Sequence, residues 1–569
     1  MSEPAGQFSR LRLGTVVALF GLAALVLAGR AFQLQVLQQD RLKREGDARA
    51  VRVVPLAAHR GRILDRHGQP LAISTPVDSV WANPAELMGA RHRWPELARA
   101  LGLKPAALAR RVTARRGREF VYLRRQVTPA VARRVRALGL PGVGLLREYR
   151  RYYPAGEVAA HVLGFTDVDD RGQEGLELAL EEILRARPGR KRVVRDRKGH
   201  VIKDVELIQA PRPGRDVILA MDRRLQYLAY RELKRAVLRH RARGGSAVIL
   251  DARTGEVLAM ANQPGFNPND RSQIRPGRYR NRAVTDVFEP GSAIKPFTVA
   301  AALERRVVSP RTVIDTAPGL LRVGRNTVRD VRNYGAIDVA TIIRKSSNVG
   351  AARIALATPP EAFWRVLDRA GFGQVTAVGF PGEAAGRLAH YRHWRGFERA
   401  ALAFGYGTSV TALQLAQAYT VFANGGRLVP ASLLRLESPP ATRQVVSRRT
   451  ARRVLAMLEG VVSREGTAAK AAVPGYRVAG KTGTVKKAGA GGYAEDAYLA
   501  VFVGIAPVSD PRLVMVVTVD DPRGEAYYGG EVAAPVFRRV MQGALRLLEV
   551  PPDGVLPRSR LLARVEGGA

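Results

Sequence analysis

The sequence of 569 residues contains no cysteine. This absence excludes disulfide frameworks, thiolate metal sites, iron–sulfur clusters and thiol nucleophiles. It leaves the cellular compartment open, because a chain without cysteine is stable in oxidising and in reducing surroundings. Long apolar runs are also scarce. A mean hydropathy of −0.11 excludes a polytopic membrane protein but allows a single membrane anchor.

Acidic residues are few relative to basic ones, with 50 Asp and Glu against 92 Lys and Arg, for a formal net charge of +42. Only 12 of the basic residues are lysines. Such an excess indicates either an anionic partner, such as nucleic acid or a membrane surface, or the codon bias of a GC-rich genome. Because the arginines are spread over the whole chain, codon bias is the favoured interpretation.

Signatures of metal and cofactor binding are missing as well. The eight histidines are scattered, and the pair His390 and His393 has no further ligands nearby. The segment GFGQVT departs from the dinucleotide-binding pattern at its last position, and neither a phosphate loop nor a G-x-S-x-G turn is present. We therefore expect no metal ion and no cofactor.

The apolar run that is long enough for a membrane anchor lies near the N-terminus. Residues 13–29 contain no charge and correspond to about 26 Å of helix, at about 1.5 Å per residue. Arg10 and Arg12 precede the run, which favours a cytoplasmic N-terminus. The alternative is a signal peptide cleaved after Ala28, but the run is longer than most signal sequences. Both interpretations export the rest of the chain, which argues against nucleic acid as a partner.

The remaining length is sufficient for two to four domains. We predict α+β architecture, with a boundary near residue 220 and a loose C-terminal tail from 549 to 569. The pattern predicts a helix over 31–50, a hairpin over 60–74, two arginine-rich amphipathic helices within 94–138, a helix over 222–241 and an antiparallel hairpin over 246–262.

The first candidate for chemistry is the pair Ser292 and Lys295, in the segment EPGSAIKPF. Pro290 and Gly291 form a turn, and the apolar run behind them is helical, so the lysine lies one helical turn after the serine on the same face. A serine hydroxyl needs a base to become a nucleophile, and a lysine amine is a base only when it is neutral. Burial and a second cation would both favour the neutral form. The alternative is a helix-capping serine followed by a surface lysine.

The second candidate is the turn Ser346-Ser347-Asn348, between two apolar helical runs. Ser346 is placed to pass a proton between the lysine, the nucleophile and a leaving amine, and Asn348 to hold a substrate amide. The alternative is ordinary helix capping.

The third candidate is Lys481-Thr482-Gly483-Thr484, at the start of an apolar strand pattern. Lys481 is a candidate second cation, and Gly483 permits close approach of a substrate backbone. The backbone N–H groups of Thr484 and Ser292 are candidates for an oxyanion hole. The alternative is a simple turn.

Taken singly, each of these elements is weak, but their order is informative. S-x-x-K, then S-x-N, then K-T-G is the signature of penicillin-recognising serine acyltransferases. Over most of its length the chain resembles the class B penicillin-binding proteins, through TDVFEPGSAIKPF, RKSSNVG, GKTGTVKK and AYYGGEVAAPVF, and through RGRILDRHG, RRYYPAGEVAAHVLGF and GQEGLE in the first half. The KTGTVKK and YYGG segments are most similar to the division-specific branch, the septal transpeptidases of the penicillin-binding protein 3 type.

The resemblance implies a fold and a domain plan. A cytoplasmic tail (1–12) and a transmembrane anchor (13–30) precede a mixed α/β pedestal module of the dimerisation type (31–220). A transpeptidase domain (221–548) follows, with an antiparallel five-stranded sheet flanked by helices. Arg60, Asp65, Arg150 and Glu174 are expected to form a salt-bridged framework between the modules.

The resemblance also implies a reaction without metal or cofactor. Ser292 would be acylated by a peptidoglycan stem peptide that ends in D-Ala-D-Ala, and a neighbouring stem would then accept the acyl group. Lys295 would be the general base, with Ser346 and Lys481 in the proton path. The substrate-binding residues would be Asn348, Thr482, Gly483 and Thr484. A β-lactam antibiotic would stall as the acyl-enzyme.

Partners and location follow from the same resemblance. A membrane glycan polymerase of the SEDS type and other division proteins are the expected partners, with Leu34, Val36 and Leu37 as candidate contacts. The expected location is the cell inner membrane, with one membrane-spanning helix and the catalytic domain in the periplasm.

Three alternatives remain open. A serine β-lactamase or D,D-carboxypeptidase would use the same residues with water as the acceptor, but needs neither the anchor nor the pedestal. The elongation-specific branch of class B would differ in its partners. A non-catalytic basic scaffold would not need an intact set of catalytic residues.

Overall fold

The computed structural model describes residues 5–42, 51–195, 201–489 and 492–554. The chain divides into two compact units. The first unit comprises residues 1–59, 75–150 and 186–214, and the second comprises 60–74, 151–185 and 215–569. The domain boundaries predicted from the sequence stay a prediction, and the parts of the predicted tails at 1–4 and 555–569 lie outside the described residues.

The strands are numbered in chain order. They are β1 (Val51–Leu56), β2 (Ile63–Leu64), β3 (Pro70–Ala82), β4 (Val121–Val127), β5 (Val143–Tyr152), β6 (Phe165–Thr166), β7 (Gly172–Glu174), β8 (Gly189–Arg195), β9 (Val201–Gln209), β10 (Val217–Ile218), β11 (Gly244–Asp251), β12 (Val257–Gln263), β13 (Val313–Asp315), β14 (Leu320–Val323), β15 (Asn326–Arg329), β16 (Ala336–Asp338), β17 (Arg427–Leu428), β18 (Arg443–Gln444), β19 (Ala479–Gly489), β20 (Gly492–Ala506) and β21 (Leu513–Asp520).

The α-helices are numbered in the same way. They are α1 (Ala5–Phe32), α2 (Pro84–Met88), α3 (Trp94–Leu101), α4 (Pro105–Thr113), α5 (Pro129–Ala137), α6 (Ala160–Leu163), α7 (Gly175–Ala179), α8 (Glu181–Leu184), α9 (Arg223–Arg239), α10 (Pro276–Tyr279), α11 (Arg282–Thr285), α12 (Lys295–Glu304), α13 (Val339–Lys345), α14 (Asn348–Ala357), α15 (Pro360–Arg369), α16 (Gly396–Leu402), α17 (Ala412–Ala423), α18 (Arg448–Val461), α19 (Gly529–Val532) and α20 (Ala534–Leu547).

The first unit begins with the predicted apolar helix. Helix α1 continues into a π-helical turn at Gln33–Leu37, and residues 12–37 are long and apolar enough to cross a membrane. Their side chains are almost all exposed, as expected for a helix whose solvent is lipid rather than protein. The predicted continuation of the helix to residue 50 falls partly on residues 43–50, outside the described part of the chain.

The arginine-rich region of the first unit differs from the prediction. The two helices expected within 94–138 are three helices, α3, α4 and α5, with strand β4 between the last two. Gly102, in the left-handed conformation, ends α3, and Pro105 starts α4, because proline fits the first turn of a helix but not its interior. Val121, Leu123 and Val127 are buried on one side of β4, an alternation that a helical period does not fit.

The second unit is built around an antiparallel sheet of five strands in the order β12–β11–β21–β20–β19. Helix α9 packs against β12 and β11, helix α17 against β21 and β11, and helix α20 against α9. Strands β11, β12 and β21 are buried almost throughout, since helices cover them. This architecture confirms the predicted α+β fold, with the five-stranded sheet flanked by helices.

The predicted salt-bridged framework has different members. Arg60 is buried within the second unit, where its Nε lies 2.7 Å from Glu177 and its Nη1 lies 2.6 Å from Glu181. Arg151 contacts the other oxygen of Glu177 at 2.7 Å. The prediction that Glu174 joins this framework is wrong, because Glu177 points into the core from α7 whereas Glu174 precedes the helix.

Asp65, another predicted member, has a different role in the structure. Asp65 accepts hydrogen bonds from the backbone N–H groups of His67 and Gln69, at 2.9 and 2.8 Å, and so closes the β2–β3 hairpin. Arg151, next to the predicted Arg150, is the arginine that pairs with Glu177. The framework therefore stabilises the interior of the second unit.

Candidate active site

Ser292 lies in a tight 3₁₀ turn, Gly291–Ile294, that leads directly into α12. Gly291 adopts a φ of 53°, and a Cβ atom there would lie 2.6 Å from Cγ2 of Val485, so only glycine fits between the turn and β19. The hydroxyl of Tyr419 donates a 2.7 Å hydrogen bond to the carbonyl of Ala293 and fixes the turn from beneath. Ser292 is thereby held partly exposed beside the sheet.

Lys295 begins α12 and is fully buried. Its Nζ donates hydrogen bonds to the carbonyl of Ser346 at 2.5 Å, to the hydroxyl of Ser346 at 3.2 Å and to Oδ1 of Asn348 at 2.7 Å. Within the described residues no hydrogen bond joins Lys295 to Ser292. Catalytic hydrogen bonds are often absent before substrate binds, so this geometry leaves the role of base open to Lys295.

Ser346 forms the corner between α13 and α14. It adopts the left-handed conformation, with φ 62° and ψ 39°, which ends α13 and turns the chain so that α14 starts two residues later. Ser347 caps α14, accepting a 2.9 Å hydrogen bond from the N–H of Gly350. The capping alternative therefore describes Ser347, while Ser346 and Asn348 both contact Lys295.

Lys481 lies on β19, the strand at the edge of the five-stranded sheet, and its side chain also reaches Ser346. Its side chain is buried, and its Nζ donates to the hydroxyl of Ser346 at 2.8 Å and to the carbonyl of Thr482 at 3.2 Å. The hydroxyl of Ser346 thus lies between two lysine amines that are 186 positions apart in the chain. This arrangement provides a continuous path for a proton.

The two lysines are held away from their ordinary protonation state. Burial, together with the charge of Lys481, lowers the pKa of Lys295 well below its usual range, while the carboxylate of Asp330 acts in the opposite direction. Burial also lowers the pKa of Lys481 to about 7. Two ammonium groups this close in a dry site disfavour each other, so the arrangement supplies a neutral amine that can accept a proton.

The remaining predicted residues line β19 next to the Ser292 turn. The hydroxyls of Thr482 and Thr467 are 2.8 Å apart, and the hydroxyl of Thr484 accepts a 3.0 Å hydrogen bond from the N–H of Gly529. A Cβ atom on Gly483 would lie 3.1 Å from the carbonyl oxygen of Pro290, which shows how closely the strand approaches the turn. Hydroxyl donors and backbone groups are therefore concentrated within reach of Ser292.

Asp330 is a site residue that the sequence analysis missed. Its carboxylate accepts hydrogen bonds from the hydroxyl of Ser347 at 2.6 Å, from the N–H of Val349 at 3.1 Å and from the N–H of Asn348. It holds the turn whose other side contacts Lys295. No motif marks this position, but it follows the β14–β15 hairpin at the point where the chain returns toward α13.

A cavity of about 900 Å³ opens beside Asn348. Its wall includes the aromatic side chains of Trp394, Phe404, Tyr406 and Tyr493. The hydroxyl of Tyr493 lies 3.0 Å from the carboxylate of Glu289, three residues before Ser292. A cavity of this size accommodates a peptide or a small organic ligand next to the lysine cluster.

Comparisons with known proteins agree with this geometry. Residues 245–542 match the penicillin binding protein transpeptidase domain, and residues 55–219 match the penicillin-binding protein dimerisation domain. The chain is 42% identical to the peptidoglycan D,D-transpeptidase FtsI of Escherichia coli K12, over 97% of this chain and 94% of the relative. It is also 42% identical to the probable peptidoglycan D,D-transpeptidase PbpC of Pseudomonas aeruginosa, over 97% of this chain and 98% of that protein.

Solved structures are similar as well. Penicillin-binding protein 3 of Mycobacterium tuberculosis, complexed with aztreonam, has a TM-score of 0.68 at 30% identity and covers 88% of this chain and 98% of its own. The transpeptidase domain of Burkholderia pseudomallei penicillin-binding protein 3 has a TM-score of 0.55 at 43% identity, over 60% of this chain and 98% of its own.

The chain therefore belongs to the penicillin-binding protein family, in class B, whose members join a dimerisation domain to a serine transpeptidase domain. Its similarity to FtsI over nearly its whole length assigns it to the division-specific branch of that class, which confirms the resemblance drawn from the sequence.

Proposed function

We propose that this protein is a peptidoglycan D,D-transpeptidase that cross-links stem peptides during septal wall synthesis and is acylated by β-lactams. The observation that carries the proposal is the cluster of Lys295, Ser346 and Lys481 beside Ser292. Its similarity to proteins named peptidoglycan D,D-transpeptidases supports the assignment of substrate.

The first half-reaction forms an acyl-enzyme. Lys295, neutral because it is buried beside Lys481, accepts the proton of the Ser292 hydroxyl, and Oγ attacks the carbonyl of the penultimate D-alanine. The Oγ–C bond forms and the C–N bond to the terminal D-alanine breaks. The departing amine takes a proton through the hydroxyl of Ser346, which contacts both lysines.

The side chains around the nucleophile hold the substrate in this scheme. Asn348 binds an amide of the stem, and Thr482 and Thr484 bind its terminal carboxylate, which the charged form of Lys481 also favours. The N–H groups of Ser292 and Thr484 stabilise the oxyanion, and Gly483 allows the stem to approach the strand. The positions of these residues on β19 and α14, close to the Ser292 turn, support the roles.

The second half-reaction transfers the acyl group. The amine of a neighbouring stem attacks the ester carbonyl, its proton passes to Lys295, and the new C–N bond forms as the Oγ–C bond breaks. Ser292 recovers its proton from Lys295, so the cycle closes without any external acid or base. A β-lactam enters at the first step but keeps its leaving amine tethered, so the ester remains.

The cellular setting is part of the proposal. We place the protein in the cell inner membrane as a single-pass protein, with α1 as anchor and the chain from residue 31 onward in the periplasm. We also propose the boundaries given above: tail, anchor, pedestal to residue 220, transpeptidase domain to 548 and C-terminal tail. A SEDS-type glycan polymerase and other division proteins are the proposed partners. Val36 and Leu37 support such contacts, because both are exposed at the end of the apolar helix.

The test is acylation of the full-length protein in detergent by a fluorescent penicillin, with Ser292→Ala in parallel and Ser463→Ala as a control on an exposed serine. Intact mass should show one drug per chain on the parent and on the control, stable for hours, and none on Ser292→Ala. Rapid loss of the adduct with drug hydrolysis would identify a β-lactamase instead. Absence of any adduct would remove the proposal.

A further inference from the structure

One long stretch of the first unit is strongly basic. Residues 91–136, here called the basic layer, contain fourteen Lys and Arg and two Glu, a net charge of +12 in 46 residues. The whole chain has +42 in 569 residues. The net charge per residue of the basic layer is therefore more than three times that of the whole chain.

The fold places these cations on the outside of a single layer. Helices α3, α4 and α5 all contribute to one hydrophobic cluster, with Leu97, Leu108 and Val135 among its buried members. Because the apolar sides of all three helices face that cluster, their basic sides face solvent. Twelve of the fourteen basic residues are exposed, including Arg115, Arg116, Arg133 and Arg134.

Most of the cations in the basic layer have no ion-pair partner among the described residues. Arg93 pairs with Glu96, and Arg125 pairs with Glu148. The other twelve, all within the described range 51–195, have no carboxylate at salt-bridge distance among the described residues. The cations on such a surface repel one another, and anions from another molecule normally balance their charge.

We propose that the basic layer docks on anionic phospholipid headgroups of the membrane in which the protein is anchored. The charge is complementary, and the proposed anchor α1, which belongs to the same unit, tethers the layer to the bilayer and so raises the effective concentration of lipid headgroups around it. The inference rests on the membrane anchoring proposed above and is independent of the catalytic reaction.

The experiment uses the full-length protein in lipid nanodiscs. Because the chain has no cysteine, Ala114→Cys provides a unique labelling site in the basic layer, exposed at the end of α4. A donor dye there and acceptor dyes on a few lipid headgroups report docking by energy transfer, in discs of phosphatidylcholine alone or with one quarter phosphatidylglycerol. Co-elution of protein and disc verifies the anchoring separately.

Energy transfer should rise with phosphatidylglycerol and fall again in 0.5 M NaCl, since surface charge is then screened. Neutralising Arg115, Arg116, Arg133 and Arg134 to Gln should weaken docking by about fivefold per cation, or several-hundredfold in all. The control neutralises four arginines exposed on the second unit (Arg443, Arg448, Arg449 and Arg452) and should leave the transfer unchanged.

Two results would overturn the proposal. Equal transfer in both kinds of disc, in a preparation that co-elutes with the lipid, would show that headgroup charge has no effect on the layer. A response to soluble peptidoglycan fragments in place of phosphatidylglycerol would assign the layer to cell-wall carboxylates. Neither result would bear on acylation of Ser292, which is measured separately.

Discussion

Replacing Asp330 by asparagine tests whether a residue outside the three motifs controls the catalytic lysine. The carboxylate holds the Ser347–Val349 segment through three hydrogen bonds and faces Lys295 electrostatically. The asparagine side chain would keep the shape of the aspartate but lose its charge and one acceptor oxygen. Its amide group would then present a donor where Ser347 or a backbone N–H also donates.

The magnitude follows from these contacts. A hydrogen bond to a charged acceptor contributes about 1.5–3 kcal/mol, so losing one and weakening two costs about 2–4 kcal/mol locally. If about half of that cost appears in the transition state, acylation slows by roughly 5- to 30-fold. Asp330 raises the pKa of Lys295, so removing the charge lowers that pKa further.

The assay is the second-order rate constant for acylation by a fluorescent penicillin, measured from pH 5 to pH 9. Protonated Lys295 cannot accept a proton, so the rate falls on the acid side as pH drops through its pKa. In Asp330→Asn the plateau should fall and the acid limb should move to lower pH. Asp338→Asn serves as the control: it removes the charge of the residue that caps α13 but keeps an oxygen that accepts the N–H of Thr341, so its acid limb should not move.

The reasoning would be refuted if the acid limb of Asp330→Asn stayed in place or moved to higher pH. If Asp330 has a purely structural role, the plateau of the acylation rate should fall without a shift of the acid limb. A shift of the acid limb to lower pH indicates an electrostatic effect of Asp330 on Lys295.

Three further changes have defined outcomes. Burial lowers the pKa of Lys481 from 10.5 to about 7, so between these two pH values the unfolded chain binds more protons than the folded chain, and stability rises with pH. At pH 6 the buried charge of Lys481 costs about 5 kcal/mol. Lys481→Met should therefore raise the melting temperature at pH 6, and should raise it less at pH 9. Gly483→Ala pushes β19 away from Pro290 and should slow acylation about tenfold with little change in melting temperature. Arg60→Met leaves Arg151 as the arginine partner of the buried Glu177 and removes the ion pair of Glu181, so it should cost about 3–5 kcal/mol by thermal unfolding, whereas the exposed Arg62→Met should leave the melting temperature almost unchanged.

The candidate site was predictable in outline because the proposed chemistry demands particular residue types. The proposed nucleophile, neutral amine and second cation are Ser292, Lys295 and Lys481, and the sequence motifs mark all three. The resemblance to a known family supplied the fold and the substrate. The geometry adds that Ser346 joins the two lysines, a relation that spacing alone does not determine.

The contacts that escaped prediction depend on burial and on helix phase. Asp330 resembles any surface aspartate in the sequence, and only the folded hairpin brings it to the Ser347 turn. Glu174 and Glu177 both belong to the GQEGLE segment, but the helix that begins at Gly175 turns the latter toward Arg60. Glu174 ends strand β7 and is only partly buried, whereas Glu177 lies on α7 and is fully buried.

The position of β19 at the end of its sheet has a consequence for how the protein meets extended chains. A terminal strand offers main-chain donors and acceptors that another strand can use, whatever side chains that strand has. Recognition through the main chain tolerates variation in the bound peptide, but it also invites pairing between copies of the protein. Lys486, exposed on the same strand close to the K-T-G segment, places a charge there that disfavours such self-association while leaving the edge accessible to a small, anionic peptide.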